Sequence, residues 1–280
     1  MATRVEYRVT PNSQRPPANS MSSEIQPDHL LQRLLARGPA RLLKGAAGPC
    51  YRTGTQLALR VDHAAAIDAV QRELDLEADL GPLVQRYGLF EARSQARDRA
   101  EYLLRPDLGR RLDEASVERL RQRCPAAPGL QMVVGDGLSA TAVATQVPVL
   151  LPLLMEKAKA RGWDLGQPFV VRQCRVGILN AVGEVLQPTV AVLLVGERPG
   201  LATAESLSAY LAFRPQAGHT DAERNLISNI HPAGVQPAEA VERILALCGR
   251  MRDLGAGGVG VKEQFHLPGA LPAEPVDALH

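Results

Sequence analysis

The stretch Val192–Tyr210, VLLVGERPGLATAESLSAY, decides how this chain folds. An apolar run, Val192 to Val195, stops at Gly196; the charged pair Glu197-Arg198 follows, and Pro199-Gly200 turns the chain. A short, uninterrupted apolar run bounded by turn residues is consistent with a strand buried on both faces. The small residues after the turn then open toward a helix over Glu205–Ala212. A strand end that presents polar groups beside a helix start is where α/β proteins place ligands. The same grammar occurs at Val133–Ala140, VVGDGLSA. Two such loops point to one site built from both.

Working outward, Leu130–Val134, Phe169–Val176, Gly183–Leu186 and Thr189–Val195 read as strands. Helices are expected from Ser139 onward, over Val149–Arg161 behind Pro148 and Pro152, and over Pro237–Met251. Thr220–His231 reads as a polar loop. Upstream, a short helix from His29 carries Leu30, Leu31, Leu34 and Leu35 on one face, and Gly45–Gly54 is a loop. Helical character continues over Thr55–Leu74, where Leu57, Val61 and Ile67 are partly periodic, and over Asp79–Gly88 and Arg93–Tyr102. Asp113 or Ser116 caps a further helix that runs toward Arg123. Strands alternating with helices give an α/β fold, a mostly parallel sheet flanked by helices in a Rossmann-like arrangement. The expected organisation is a disordered extension at 1–27, a helical region at 28–125, an α/β ligand-binding domain at 126–265 and an irregular tail at 266–280.

Composition narrows the function. A chain of 280 residues with 45% apolar content can bury a sizeable core. A formal charge of +2 is close to neutral at this size and gives no footprint for nucleic acid. Cys50, Cys124, Cys174 and Cys248 form no CxxC pair, so neither a zinc site nor a redox dithiol is signalled. No apolar run approaches the ~18 residues of a membrane span, and no secretory leader opens the chain. The expectation is a soluble, cytosolic protein with reduced thiols. The Arg-rich stretch Arg93–Arg99 reads as a solvated helix face.

The motifs favour binding over catalysis. Gly135-Asp136-Gly137 lacks the spacing of a dinucleotide fingerprint, and no Walker lysine follows it. A tight turn with Asp136 bonding local amides is the stronger reading, and a phosphate cradle the weaker. Glu197 either pairs with Arg198 to hold the turn or offers its carboxylate to a ligand; its place at a strand's carboxyl end leaves both open. The histidines are scattered without metal-site spacing, and no nucleophile stands beside a clear base. Such a chain binds something whose chemistry is carried elsewhere.

Several segments in order then resemble one family. They are RTGTQLALRVDHAAAIDAV at Arg52–Val70, LLRPDLGRRLD at Leu103–Asp113, DGLSATAV at Asp136–Val143 and RVGILNAVGE at Arg175–Glu184. LLVGERPGL at Leu193–Leu201, AESLSAY at Ala204–Tyr210 and DAERNLISNIHPAG at Asp221–Gly234 follow. Together they cover nearly everything from about Lys44 to Lys262, and they resemble the small (light) subunit family of ethanolamine ammonia-lyase. The resemblance implies a radical enzyme that uses adenosylcobalamin to turn ethanolamine into acetaldehyde and ammonia. It implies a large-subunit partner that holds the substrate, with the cofactor at the interface and its cobalt–carbon bond broken homolytically. The 126–265 region would then be the cobalamin-binding domain, with no catalytic residue and no metal ligand of its own.

Family cobalamin contacts fall, by the resemblance, on Val176, Glu197 and Leu226. The first matches the valine of the family's GRV segment, preceded here by Cys174-Arg175, and the second the glutamate of VGERPG. The third is a cysteine in the family's ISNI segment; leucine cannot reproduce a thiol contact and would supply backbone groups or apolar cover. No histidine stands in a DxHxxG motif, which fits a cofactor that keeps its own lower base. Some relatives open with an amphipathic helix that addresses them to a bacterial microcompartment. The prolines at 11, 16, 17 and 27 argue against such a helix here, so that association rests on the resemblance alone. Two alternatives stay open: a free-standing nucleotide-binding α/β protein and a non-catalytic adaptor.

Removing residues 1–27 is expected to leave thermal stability unchanged, because the segment has little apolar surface to bury. Calorimetry of the truncated and full-length chains checks this; a loss of several degrees would show that the segment docks on the core.

Overall fold

The computed structural model describes residues 46–200 and 203–264. The expected extension at 1–27, the helix from His29 and the tail at 266–280 lie outside the described residues. A small ladder of β1 (Ala46–Ala47) and β2 (Cys50–Tyr51) sits inside the expected 45–54 loop. Two helices follow, α1 (Thr53–Gln71) and α2 (Leu76–Tyr87). Then come β3 (Glu91–Arg93), α3 (Arg99–Leu104), α4 (Glu114–Arg123), β4 (Leu130–Gly135) and α5 (Ala140–Ala160). The chain continues through β5 (Phe169–Arg172), α6 (Ile178–Leu186), β6 (Val190–Gly196), β7 (Leu207–Phe213), β8 (Arg224–Ile230) and α7 (Pro237–Leu254).

Six strands form one sheet in the order β3-β5-β4-β6-β7-β8. The first four are parallel, and β7 and β8 add antiparallel to β6. The alternation of side chains across a strand divides the core into two layers. On β6, Val190, Val192 and Leu194 pack with α5, α7 and α2, while Ala191, Leu193 and Val195 pack with α6 and α4. Helices cover both faces, so the uninterrupted apolar character of β6 is what its position demands. Helix starts are capped as the chemistry of their first residues requires. Asp75 accepts from the Glu77 and Ala78 amides, Asp98 from Glu101, Asp113 from Ser116 and Ser139 from Ala142. Asp113 is therefore the cap of α4; the Ser116 hydroxyl instead accepts from the Arg93 amide at 2.7 Å.

Several local expectations are corrected. Gly183–Leu186 is not a strand but the last part of α6. Ile178, Leu179, Val182 and Leu186 recur at helical spacing and all are buried, a stronger signal than the short run that suggested β structure. Glu205–Ala212 is not a helix: Leu207 onward is β7. Its Ala, Glu and Leu content favours a helix, but pairing with β6 overrides that weak preference. The Thr220–His231 loop is a helical turn, Asp221–Glu223, followed by β8. Arg93–Tyr102 divides into the end of edge strand β3 and the start of α3, and β5 stops at Arg172 rather than running to Val176. One helix, α5, runs through both Pro148 and Pro152; the fully buried Val147, Leu150, Leu151 and Leu154 hold it against the sheet where proline would otherwise break it. Leu57, Val61 and Ile67 of α1 are exposed; its one buried residue is Ala69.

Two helical glycines are expected to respond oppositely to alanine. A Cβ on Gly183 would lie 1.8 Å from the Pro215 carbonyl oxygen, whereas nothing stands within 4 Å of one on Gly249 in α7. Gly183→Ala should cost about 1–3 kcal/mol or more through overpacking, and Gly249→Ala should add about 0.8–1.0 kcal/mol through helix propensity. Urea unfolding of both variants reads the two signs; equal effects would refute the packing of α6 on Pro215.

Candidate functional site

The parallel strands β5, β4 and β6 end side by side, at Arg172, Gly135 and Gly196. Their following loops form the mouth where such sheets bind ligands. The turn after β4 lies hard against the end of β6. The Leu138 amide donates to the Gly196 carbonyl at 3.1 Å, and a Cβ on Gly137 would fall 2.3 Å from Val195 Cγ2. That space is filled by protein, so the Gly135-Asp136-Gly137 turn is a packing device rather than a phosphate cradle.

Glu197 leaves β6 into this mouth, and its carboxylate is firmly oriented. It accepts from Ser206 Oγ at 2.9 Å, from Ser208 Oγ, and from the Asn229 amide at 3.3 Å. It forms no ion pair with Arg198, which is exposed; β7 and β8, not the neighbouring charge, hold it. A cavity of about 270 Å³ opens here, lined by Glu197 and Val195 from β6, Val176 from the loop after β5, and Tyr102, Ser208 and Tyr210. Val176 and Glu197 thus come together in one cavity. Leu226 stands one strand further out: it pairs directly with Tyr210 across β7 and β8, is 47% exposed, and does not line the cavity. The segment around it is strand, and Asn225 and His231 at its two ends are bonded within the protein. Asn225 Nδ2 donates to the Gly258 and Val261 carbonyls, and His231 is buried with Nε2 2.7 Å from Asn229 Oδ1.

Two tyrosines shape the cavity. Tyr102 is fully buried, donates to the Cys174 carbonyl at 3.0 Å, and carries the Arg175 guanidinium 4.3 Å from its ring centre. Burial pushes its phenol well up. Tyr210 is also raised, first by burial and then by the Glu197 and Asp221 charges. Neither phenol ionises near neutrality, so both act as donors or as apolar walls. Beneath the floor lies a buried ion pair that the sequence reading missed. Arg99 is 6% exposed, not part of a solvated face, and donates to the carbonyls of Val70, Gly137 and Leu138. Its Nη1 stands 3.7 Å from Asp136 Oδ1. Asp136 does not bond local amides through its side chain: both carboxylate oxygens are buried without a hydrogen-bond partner. The spacing of Arg99 within an Arg-rich run carried no signal of burial, because only the tertiary packing of α3 under the loop encloses it.

Among the described residues no group of three or more His, Cys, Asp or Glu is placed to hold a metal ion, and no helix is long and apolar enough to cross a membrane. Cys124, Cys174 and Cys248 are buried, and burial raises all three thiols, Cys124 to about 11 and Cys248 to about 12.

Comparison with known proteins finds one family. The family model described as "Ethanolamine ammonia-lyase light chain (EutC)" matches residues 28–262. The ethanolamine ammonia-lyase small subunit of Clostridium perfringens is 41% identical over 227 residues, spanning 81% of this chain and 75% of the relative. That of Fusobacterium nucleatum is 42% identical over 224 residues, 80% of this chain and 74% of the relative.

The buried Asp136 makes stability depend on pH. Burial raises its carboxyl from 3.8 to about 6, against the pull of Arg99 and Arg172. The folded chain therefore holds this proton more tightly than the unfolded chain. The resulting stabilisation is fully present below pH ~3.8 and is lost as pH rises to about 6. Relative to an Asp136→Asn variant, the wild type should lose on the order of 2–3 kcal/mol across that window. Denaturant unfolding at several pH values measures the difference, and a flat one would mean that Asp136 titrates normally.

Proposed function

The chain belongs to the ethanolamine ammonia-lyase light-chain family, and from that premise we propose that it forms one wall of an adenosylcobalamin site closed by a large subunit. The observation that carries this reading is that Val176 and Glu197, from two different strand ends, line one cavity. At about 270 Å³ it is smaller than the ~300–1,000 Å³ of a complete small-molecule site, as expected of half a site shared between subunits.

The residues present fit the cofactor. Corrin amide side chains donate hydrogen bonds, and Glu197 is a fixed acceptor that Ser206, Ser208 and Asn229 hold in place. Val176 offers apolar contact beside it, and Leu226 extends the apolar rim through Tyr210. When bound, adenosylcobalamin supplies the radical that takes a hydrogen from ethanolamine, which becomes acetaldehyde and ammonia. The task of this chain is to orient the ring edge and to keep water from one side of it. The substrate is held mainly by the large subunit, in the bacterial cytoplasm. A free-standing nucleotide site is disfavoured because protein atoms fill the space over Gly137 and Gly196.

The test uses the complex with the large subunit. Glu197→Gln keeps the volume but removes the charge. A charge-assisted hydrogen bond is worth roughly 1.5–3 kcal/mol, so cobalamin affinity should fall about tenfold or more. Leu226→Cys should leave affinity unchanged or improved. Equilibrium dialysis read by corrin absorbance measures both, with melting as the control for folding. Normal affinity in Glu197→Gln, or robust ethanolamine turnover by the isolated chain, would overturn the reading.

A further inference from the structure

The helix α1 carries an apolar stripe on the side turned away from the core. Leu57, Val61, Ala64 and Ala65 recur at i, i+4, i+7 and i+8, which places them on one helix face. All four are exposed, Leu57 at 55% and Val61 at 69%, and Ile67 beside them is 48% exposed. The opposite face, with Leu59, Ala66 and Ala69, is the one that turns inward. Single apolar residues on a surface need no explanation, but a stripe along one helix face does. Helices draw most of their stability from packing such a face, and the only residue α1 buries is Ala69.

Position decides what covers the stripe. The last turn of α1 reaches the ligand mouth, where Arg99 donates to the Val70 carbonyl at 2.7 Å. Val61 stands about 14 Å back along the helix from Val70, and Leu57 further still. The stripe therefore starts at the end of α1 next to the β1–β2 ladder. That ladder is antiparallel, with Ala46 opposite Tyr51, and Gly48 turns it at φ +62°. Strand β2 runs on into α1 at Thr53, so the residues before Ala46 arrive from the α1 side.

The segment that arrives there carries the complement. Residues 28–45, DHLLQRLLARGPARLLKG, hold six leucines, and the family match begins with them. The helix expected from His29 has Leu30, Leu31, Leu34 and Leu35 on one face and ends at Gly38-Pro39. Its length would be about 13 Å, against about 15 Å from Leu57 to Ile67. Residues 38–45 reach about 27 Å when extended, enough to lay that helix along α1. A tether this short gives an effective concentration in the millimolar range, so a small apolar contact suffices.

We infer that residues 29–35 of this chain dock on the Leu57–Val61 stripe and form an antiparallel helical pair with α1 beside the ladder. The inference is independent of any cofactor. It makes 28–45 part of the folded unit and leaves 1–27 outside it.

The experiment uses the full-length chain in complex with the large subunit. Cys50→Ser removes the one exposed native thiol. Leu34→Cys and Val61→Cys are introduced together and treated with a short bis-maleimide, and peptide mass spectrometry reads the products. An intrachain link between positions 34 and 61 is expected. The control pair Leu34→Cys, Leu254→Cys should give none, although Leu254 is exposed at the end of α7. In a second variant Val61→Cys stands alone and Leu30, Leu31, Leu34 and Leu35 are changed to serine. Its thiol should react with a maleimide about tenfold or more faster than with the leucines intact. The cross-link requires no such disruption, so it stands as a test even where the serine variant does not fold. Absence of the intrachain link, or labelling that ignores the serines, overturns the inference. A link between two copies assigns the stripe to a second copy of this chain instead. Protection that appears only on adding the large subunit, and ignores the serines, assigns it to that subunit; both outcomes also overturn the inference.

Discussion

The site depends on how closely two strand ends approach each other. A Cβ on Gly196 would stand 2.0 Å from the Ser139 carbonyl oxygen, and one on Gly137 would meet Val195 at 2.3 Å. No side chain fits between the turn after β4 and the end of β6, so only glycine closes that seam. The contact fixes three things at once. It seats Ser139, which caps α5; it directs the chain out of β6 at Glu197; and it leaves the cavity on the far side of the seam for a ligand.

Around the seam, polar groups divide into those that hold the frame and those left free. Arg99 uses its donors on three carbonyls and lies beside Asp136, tying the end of α1 to the floor of the site. A pair so deeply buried is weak evidence of stability, since desolvation offsets much of its attraction. Its carbonyl bonds make a defined arrangement of the floor its clearer contribution. The hydroxyls of Ser206 and Ser208 turn toward Glu197, while Arg110 and Arg111 are exposed. The cavity thereby presents a negative acceptor beside apolar Val176.

The misread segments share a cause. AESLSAYLA has the composition of a helix, yet Ser206, Ser208 and Tyr210 alternate with Leu207, Ala209 and Leu211, a period of two. The even-numbered residues face the cavity side and the odd-numbered ones the α5 and α7 core. Reading that alternation would have found the two serines that orient Glu197. No comparable signal marked Arg99 or the Arg110-Arg111 pair. An arginine in a basic run looks the same whether a neighbouring loop covers it or water does.

What the sequence determined by itself was the part governed by local and compositional constraints. An apolar run such as Val190–Val195 suits a sheet interior, glycines after strands demand tight turns, and the family segments bring Val176, Glu197 and Leu226 forward. What only the tertiary structure decided was which of these meet. Val176 and Glu197 share a cavity because β5 and β6 flank β4, and Leu226 stands apart because β8 lies two strands beyond β6. Strand order and the burial of a charge such as Arg99 depend on contacts between residues far apart in the chain. Such contacts leave no periodic trace along it, because each is set by the packing of the whole sheet and not by its neighbours in sequence.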